Sequence, residues 1–370
     1  WDRAPFTQDS LANVIQNSQN ISFNGQLNFV SLYNKSKYLK RINDKGKNRP
    51  TARAQSTTKP ADPNAPKPPE PEKGGKINVL EGLARILMTV RTGTFTYSQN
   101  SGTLLPGYNG GTNVLGMDPG FDAPGWGFVL GQQNHALNGD IERDFATTAA
   151  RNGWLVQTPS IFTQYTTTRT ETMNFRVNLE PFRGMRVDIS ANRTIAGNNA
   201  SFYRWNNELG DYVNDSPMET GSFSVSILTW RTAFARNDRS TFENPSFLDL
   251  LANRPVISAR LGASTEGSVL DDTGYYTGFG AINQDVIIPA FLAAYTGRSA
   301  ENVELNVFKQ KPAPNWDITY DGLTRLPLFG KWFRTFTVKN SYRSTFNIAG
   351  YQTNMLYVPG GAEVDAAGNF

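Results

Sequence analysis

The sequence predicts an all-β transmembrane barrel segment with helical and irregular loop insertions, and three observations predict it. Between Thr335 and Ile348 the chain alternates. Phe336, Val338, Tyr342, Phe346 and Ile348 hold one parity, broken by Asn340 and Ser344, while Thr335, Thr337, Lys339, Ser341, Arg343, Thr345 and Asn347 hold the other. A period of two kept for fourteen residues gives a strand one face in an apolar phase and one in a polar phase. Strands of soluble sheets run about five or six residues. An outer-membrane crossing takes roughly 9 to 11 and turns its apolar face to lipid. The longest apolar run, Val286 to Ala294 with Pro289 inside it, is far short of the roughly 18 residues a spanning helix needs, so any crossing by this chain is made by strands. There are 0 cysteines, common in envelope proteins that pass an oxidising periplasm, and this excludes disulfides, thiolate metal sites and cysteine nucleophiles.

Residues 1–34 read as a barrel strand, with Ile21, Phe23, Leu27, Phe29 and Tyr33 on one parity and Ser22, Asn24, Gln26 and Asn28 on the other. Residues 35–76 read as a basic and proline-rich disordered insert. Eight Lys or Arg stand against Asp44 from Lys35 to Arg53, and Pro60, Pro63, Pro66, Pro68, Pro69 and Pro71 follow. Such composition cannot bury enough apolar surface to order itself; a docking ligand for an aromatic groove is the alternative to a plain spacer. The net charge of +4 is concentrated there, so no nucleic acid is expected as a partner.

Residues 77–101 form the next barrel strand, the parity of Ile86, Met88 and Val90 passing to Phe95 and Tyr97 beyond Gly93, as a bulge at glycine would produce. Residues 102–171, rich in Gly, Pro and Asn without a period, read as a long ordered loop. Residues 172–228 hold barrel strands with a tight hairpin. Met173, Phe175, Val177 and Leu179 alternate with Asn174, Arg176, Asn178 and Glu180; beyond Pro181 to Gly184, Met185, Val187, Ile189 and Ala191 alternate with Arg186, Asp188, Ser190 and Asn192. Phe223, Val225 and Ile227 mark a further strand.

Residues 229–313 read as a partly helical insertion, one helix capped by Asn244 with Pro245 at its first position, another from Gln284 to Tyr295 ending at Gly297. Residues 314–370 return to barrel strands, with Trp316, Ile318 and Tyr320 in phase. If the Pro181 to Gly184 turn is periplasmic, alternation puts the Gly102 to Thr170 loop outside and the basic insert inside. Counting on, the last turn falls outside, unless a strand is missing, for which Val256 to Ala263 is the candidate.

On a barrel, Asn174, Arg176, Asn178, Arg186, Asp188, Ser190, Lys339 and Arg343 would face the lumen. Phe175, Val177, Leu179, Val187, Ile189, Phe336, Val338 and Phe346 would face lipid. No catalytic, cofactor or metal residues are expected, and no enzyme. The 1 histidine, His135, has no second His or Cys to complete a ligand set. Ser56 and Lys59 share a nucleophile-like spacing inside the disordered tract. Asp271, Asp272 and Glu266 lack the alternate spacing of a calcium loop. Asn-x-Ser/Thr triplets at Asn20, Asn34, Asn192, Asn199 and Asn214 arise by chance in an Asn-rich chain.

Several strings carry a resemblance: ILMTVRTGTFTYSQNSGTLLPGY (Ile86 to Tyr108), NLEPFRGMRVDI (Asn178 to Ile189), TGSFSVSIL (Thr220 to Leu228), QDVIIPAFLAAYTG (Gln284 to Gly297), NWDITYDGL (Asn315 to Leu323) and SYRSTFNI (Ser341 to Ile348). In this order they resemble the C-terminal half of the SprA (Sov) family, the outer-membrane translocon of the type 9 secretion system in Bacteroidota. The resemblance spans Ile21 to Asn354 and leaves the insert at Lys35 to Lys76 without a counterpart. It implies a very large single-chain barrel of about 36 strands, this chain being part of its wall. It also implies passage of folded cargo proteins from periplasm to cell surface. The partners it implies are the remainder of the same barrel, a PorV-type outer-membrane barrel, a periplasmic plug, a peptidyl-prolyl isomerase-like subunit, the secreted cargo and membrane lipid. Starting at Trp1 without methionine, n-region or h-region, the chain reads as an internal piece. The alternative reading from the residues alone is a soluble extracellular β-sandwich surface protein, adhesive or carbohydrate-binding.

Overall fold

The computed structural model describes residues 12–47, 88–111, 113–133, 144–241, 243–265, 267–325, 327–330 and 332–354. Its eight strands form one antiparallel sheet: β1 Asn13–Asn28, β2 Val90–Tyr108, β3 Tyr165–Leu179, β4 Met185–Asn206, β5 Asp211–Ser226, β6 Asn315–Tyr320, β7 Val338–Tyr342 and β8 Thr345–Asn354. The sheet is open, with β1 at one edge and β8 at the other.

Register reduces the eight strands to a simpler plan. β5 pairs with the far half of β4, from Arg193↔Val225 to Asn206↔Asp211, and β6 with its near half, from Met185↔Tyr320 to Ser190↔Asn315. β5 and β6 are therefore two halves of one column running the same way along β4, with residues 227–314 inserted between them. Ser226 stitches the break: its hydroxyl donates to the Ala313 carbonyl at 2.6 Å and accepts the Asn192 N–H at 3.1 Å, and the Ala313 N–H donates to the Ser226 carbonyl at 2.8 Å. β7 pairs with β6 and β8 with β5, so they too form one column, interrupted at Arg343 and Ser344. The sheet is a six-column up-and-down meander in which sequence neighbours are spatial neighbours.

This plan corrects several expectations. The strand expected from Thr335 to Ile348 is β7 and β8, because its two ends pair with different partners, β6 and β5, and the ladder is interrupted where the partner changes. Val256 to Ala263 is not a missing strand. It lies in a helix, Pro245–Gly262, whose start is fixed by Asn244 accepting the Ser246 N–H at 2.9 Å. With β5 and β6 in one column, the last turn falls at the same end as Pro181 to Gly184 and the basic insert, rather than at the opposite end. The strand expected through Tyr33 stops at Asn28, whose side chain accepts the Ser31 N–H at 3.0 Å and caps helix α1, Phe29–Lys35. The basic tract, expected to be disordered, continues as helix α2, Lys37–Lys47, because Leu39 and Ile42 find an apolar nest with Tyr33 and Met88; 48–76 lies outside the described residues. β2 and β3 both run well into the segment expected to be a loop, reaching Tyr108 and starting at Tyr165.

Two insertions pack on the sheet. Between β2 and β3, helix α3, Phe145–Arg151, and the turn Trp126–Val129 bury Phe128, Phe145, Ala146 and Ala149 against Ile15, Leu105, Tyr165 and Tyr203. The Tyr165 hydroxyl donates to Asp144 Oδ1 at 2.6 Å, and burial raises the Asp144 carboxyl above its ordinary range. Between β5 and β6, helices α4, Pro245–Gly262, and α5, Gln284–Thr296, bury Ile257, Val286, Ala290, Leu292 and Ala293 against Phe223 and Val225, with Ile195, Phe346 and Ile348 alongside.

Candidate functional site

Directly paired residues of an antiparallel sheet share a face, so the register sorts every strand residue into one of two faces. One is polar from the Thr92 row to the Thr168 row, and first gains large apolar members in the row beyond, Gln16, Leu104, Thr166, Ala200 and Met218. Rows across it read Thr92, Asn178, Asp188, Asp317, Ser341; then Gln26, Thr94, Arg176, Ser190, Asn315; further along, Ser98, Thr172, Thr194, Ser224, Asn347 and Thr168, Asn198, Thr220, Gln352. Short side chains here satisfy each other laterally: the Thr92 hydroxyl donates to Asn178 Oδ1 at 2.7 Å, the Asn178 amide to Asp188, the Ser341 hydroxyl to Asp317, and the Arg343 guanidinium to Asp317 Oδ2 at 3.1 Å. Amides and hydroxyls predominate, with Arg176, Arg186, Lys339 and Arg343 set around the neighbouring acids Asp188 and Asp317.

The opposite face changes character along its length. At the end carrying the Pro181 to Gly184 turn it is mainly apolar, in rows of Leu179, Val187, Ile318, Asn340; Leu27, Gly93, Val177, Ile189, Trp316, Tyr342; Phe95, Phe175, Ala191; and Phe23, Tyr97, Met173, Arg193, Val225, in which Asn340 and Arg193 are the polar members. Phe23, Phe95 and Phe175 make a diagonal aromatic ladder with centroids 5.9 and 4.6 Å apart. Trp316 stacks on Tyr342 at 4.4 Å, with Trp230 against both. Much of this surface is open: Phe23 is 58%, Leu27 63%, Phe175 41% and Val338 44% exposed.

The next row, Ile21, Gln99, Glu171 and Ile195, ends the band. Glu171 accepts from Arg169, stands 3.6 Å from Arg193 and receives the Tyr97 hydroxyl at 3.4 Å. Arg193 also donates to the Phe308 carbonyl at 2.5 Å and lies over the Phe223 ring. Beyond this charged row, the same face is covered by the two insertions.

No family model matches this chain, and no curated protein matches it.

Asn174, Arg176, Asn178, Arg186, Asp188, Ser190 and Lys339 all lie on the polar face, and Arg343, at the break between β7 and β8, reaches that face through Asp317. Phe175, Val177, Leu179, Val187, Ile189 and Val338 lie on the other, though Val187 is only 9% exposed. Two expectations are corrected. Phe346 has the apolar parity but packs on Phe291 of the insertion, 6.1 Å between centroids, so protein already covers it. Phe336 belongs to no strand; it sits in the irregular turn before β7 with Phe329 and Phe333, because pairing with β6 begins only at Val338.

The Glu171, Arg169 and Arg193 cluster was invisible to alternation, which registers apolar periodicity and treats a charged residue on the apolar parity as noise. Among the described residues no three His, Cys, Asp or Glu side chains come together as metal ligands. Asp271 caps its own turn, held below the ordinary carboxylate range by the Thr273 hydroxyl. His135, Ser56, Lys59 and Glu266 lie outside the described residues. No helix among the described residues is long and apolar enough to cross a membrane.

Proposed function

We propose that this chain is part of the wall of an outer-membrane protein-conducting channel of the SprA kind, which passes folded cargo from periplasm to cell surface. One observation carries the reading: a six-column meander with one face polar from the Thr92 row to the Thr168 row, while the opposite face is mainly apolar over the end that carries the Pro181 to Gly184 turn. β4 has 22 residues. At about 3.4 Å per residue and a tilt near 40° it is more than twice as tall as an apolar band of about 25 Å. From Met185 to Ile195 it has the roughly 9 to 11 residues of one crossing. The apolar end is then the lipid-facing belt, the Glu171 row its outer limit, and the remaining wall stands clear of the membrane with the insertions on its outside. A hydrated Thr, Ser and Asn surface presents unrelated cargo with little to adhere to.

The free edges of β1 and of the β7/β8 column would be closed by the remainder of the barrel. The partners of that assembly, a PorV-type barrel, a periplasmic plug and an isomerase-like subunit, come from the sequence resemblance. A soluble β-sandwich would need a second sheet over the apolar face, and all eight described strands belong to one sheet.

Because the chain has 0 cysteines, single replacements at Val177 and Asn178 test the orientation in cells. A membrane-impermeant maleimide should label the cysteine replacing Asn178 and spare the one replacing Val177. The reverse pattern, or a parent protein that stays soluble without detergent, would sink the proposal.

A further inference from the structure

At the tight-turn end of the apolar belt, α1 and α2 fold back as a short helical hairpin. The Phe29 ring lies over Gly93, 3.5 Å from where a Cβ would stand, and against Tyr33 at 6.2 Å, so the hairpin roots directly in the row that contains Val177. Ile42 and Met88 close its own small core. What it leaves outward is unusual for a solvated hairpin. Leu32 and Tyr38 are 57% and 53% exposed, beside the exposed Lys35, Lys37, Lys40 and Arg41. No acid stands between Phe29 and Ile42.

We infer that the α1–α2 hairpin is an interfacial anchor that lies on anionic phospholipid headgroups, resting on the belt assignment above. Three features select this occupant. The basic surface continues the apolar belt at its edge, where hydrocarbon gives way to headgroups. Leu32 and Tyr38 supply the apolar and amphipathic side chains that seat in that boundary. Six cations from Lys35 to Lys47 against the single acid Asp44 complement phosphate-bearing lipid, each cation near an anionic surface strengthening association about fivefold. With the Pro181 to Gly184 turn on the periplasmic side of the barrel, the hairpin, which lies at the same end, faces the phospholipid leaflet.

The test uses the purified full chain carrying Tyr38→Cys or Phe175→Cys, labelled with an environment-sensitive fluorophore and reconstituted into vesicles of phosphatidylcholine with or without phosphatidylglycerol. Headgroup nitroxides should quench the probe at 38 only when phosphatidylglycerol is present. High salt, or Lys35→Gln with Lys37→Gln, Lys40→Gln and Arg41→Gln, should abolish that quenching. Acyl-chain nitroxides should quench the probe at 175 in both lipids and in the charge variant. A probe at 38 that is indifferent to phosphatidylglycerol overturns the inference, as does one that responds to added duplex DNA but not to lipid. A probe at 175 that no acyl-chain nitroxide reaches overturns the belt assignment instead, while phosphatidylglycerol-dependent quenching at 38 would then still establish the lipid contact.

Discussion

Val177 occupies the middle of the apolar rows, flanked by Gly93 and Ile189 on its own row, which makes it the residue most sensitive to what lies outside the sheet. An arginine there places a cation near the midplane and should lower stability by about 2–4 kcal/mol. Arginine at neighbouring Asn178 projects into a polar row already holding Asp188 and should change stability little. Unfolding of the two variants in phospholipid vesicles separates these outcomes; equal effects would show that both faces meet water. Alternation made this pair legible in the sequence. It did not reveal that Phe346, of the same parity, is capped by Phe291, since covering side chains more than fifty residues away in sequence leave no mark on a strand's own period.

At the scale of elements, the β5/β6 column depends on its seam. Ser226 is 0% exposed and holds both Ala313 and Asn192. Ser226→Ala leaves a half-buried amide and a half-buried carbonyl short of a partner and should cost about 1 kcal/mol, with faster amide exchange at Asn192. Unchanged exchange there would mean that the helical cluster alone holds the column together. The helices of this insertion were legible because Asn244 caps one and Gly297 ends the other in the left-handed region, φ 66°; the Asn283 cap of the second is a finding of the structure. β3 was legible only from Met173 onward. Between Tyr165 and Thr172 its residues are polar on both faces, Thr167, Arg169 and Glu171 against Thr166, Thr168 and Thr170, so no period of two exists to be read.

For the whole molecule, a conduit for many cargoes should owe its passage to the mixed polar wall rather than to any one contact. Arg176→Gln, Lys339→Gln and Arg343→Gln, each made singly in the parent protein, should leave secretion at normal expression within about twofold, since an exposed ion pair is worth only about 0–1 kcal/mol. Secretion of a cargo reporter into the medium, with surface proteolysis confirming assembly, measures this. Loss of secretion from an assembled barrel would assign that residue a gating or recognition role in place of the passive wall.

By itself the sequence determined the antiparallel β class, the hairpin at Pro181 to Gly184, both insertion helices and the separation of polar from apolar parity, because each of these follows from periods and caps within a few residues. The tertiary structure alone decided that β5 and β6 are one column, that the last turn lies at the tight-turn end and that the apolar parity is open at one end and covered at the other. Those facts depend on which distant strand a segment pairs with and which loop folds back over it. Pairing and covering are settled by long-range complementarity, of Ser226 with Ala313 and of Phe223 with the helical insertion, and local alternation carries no record of them.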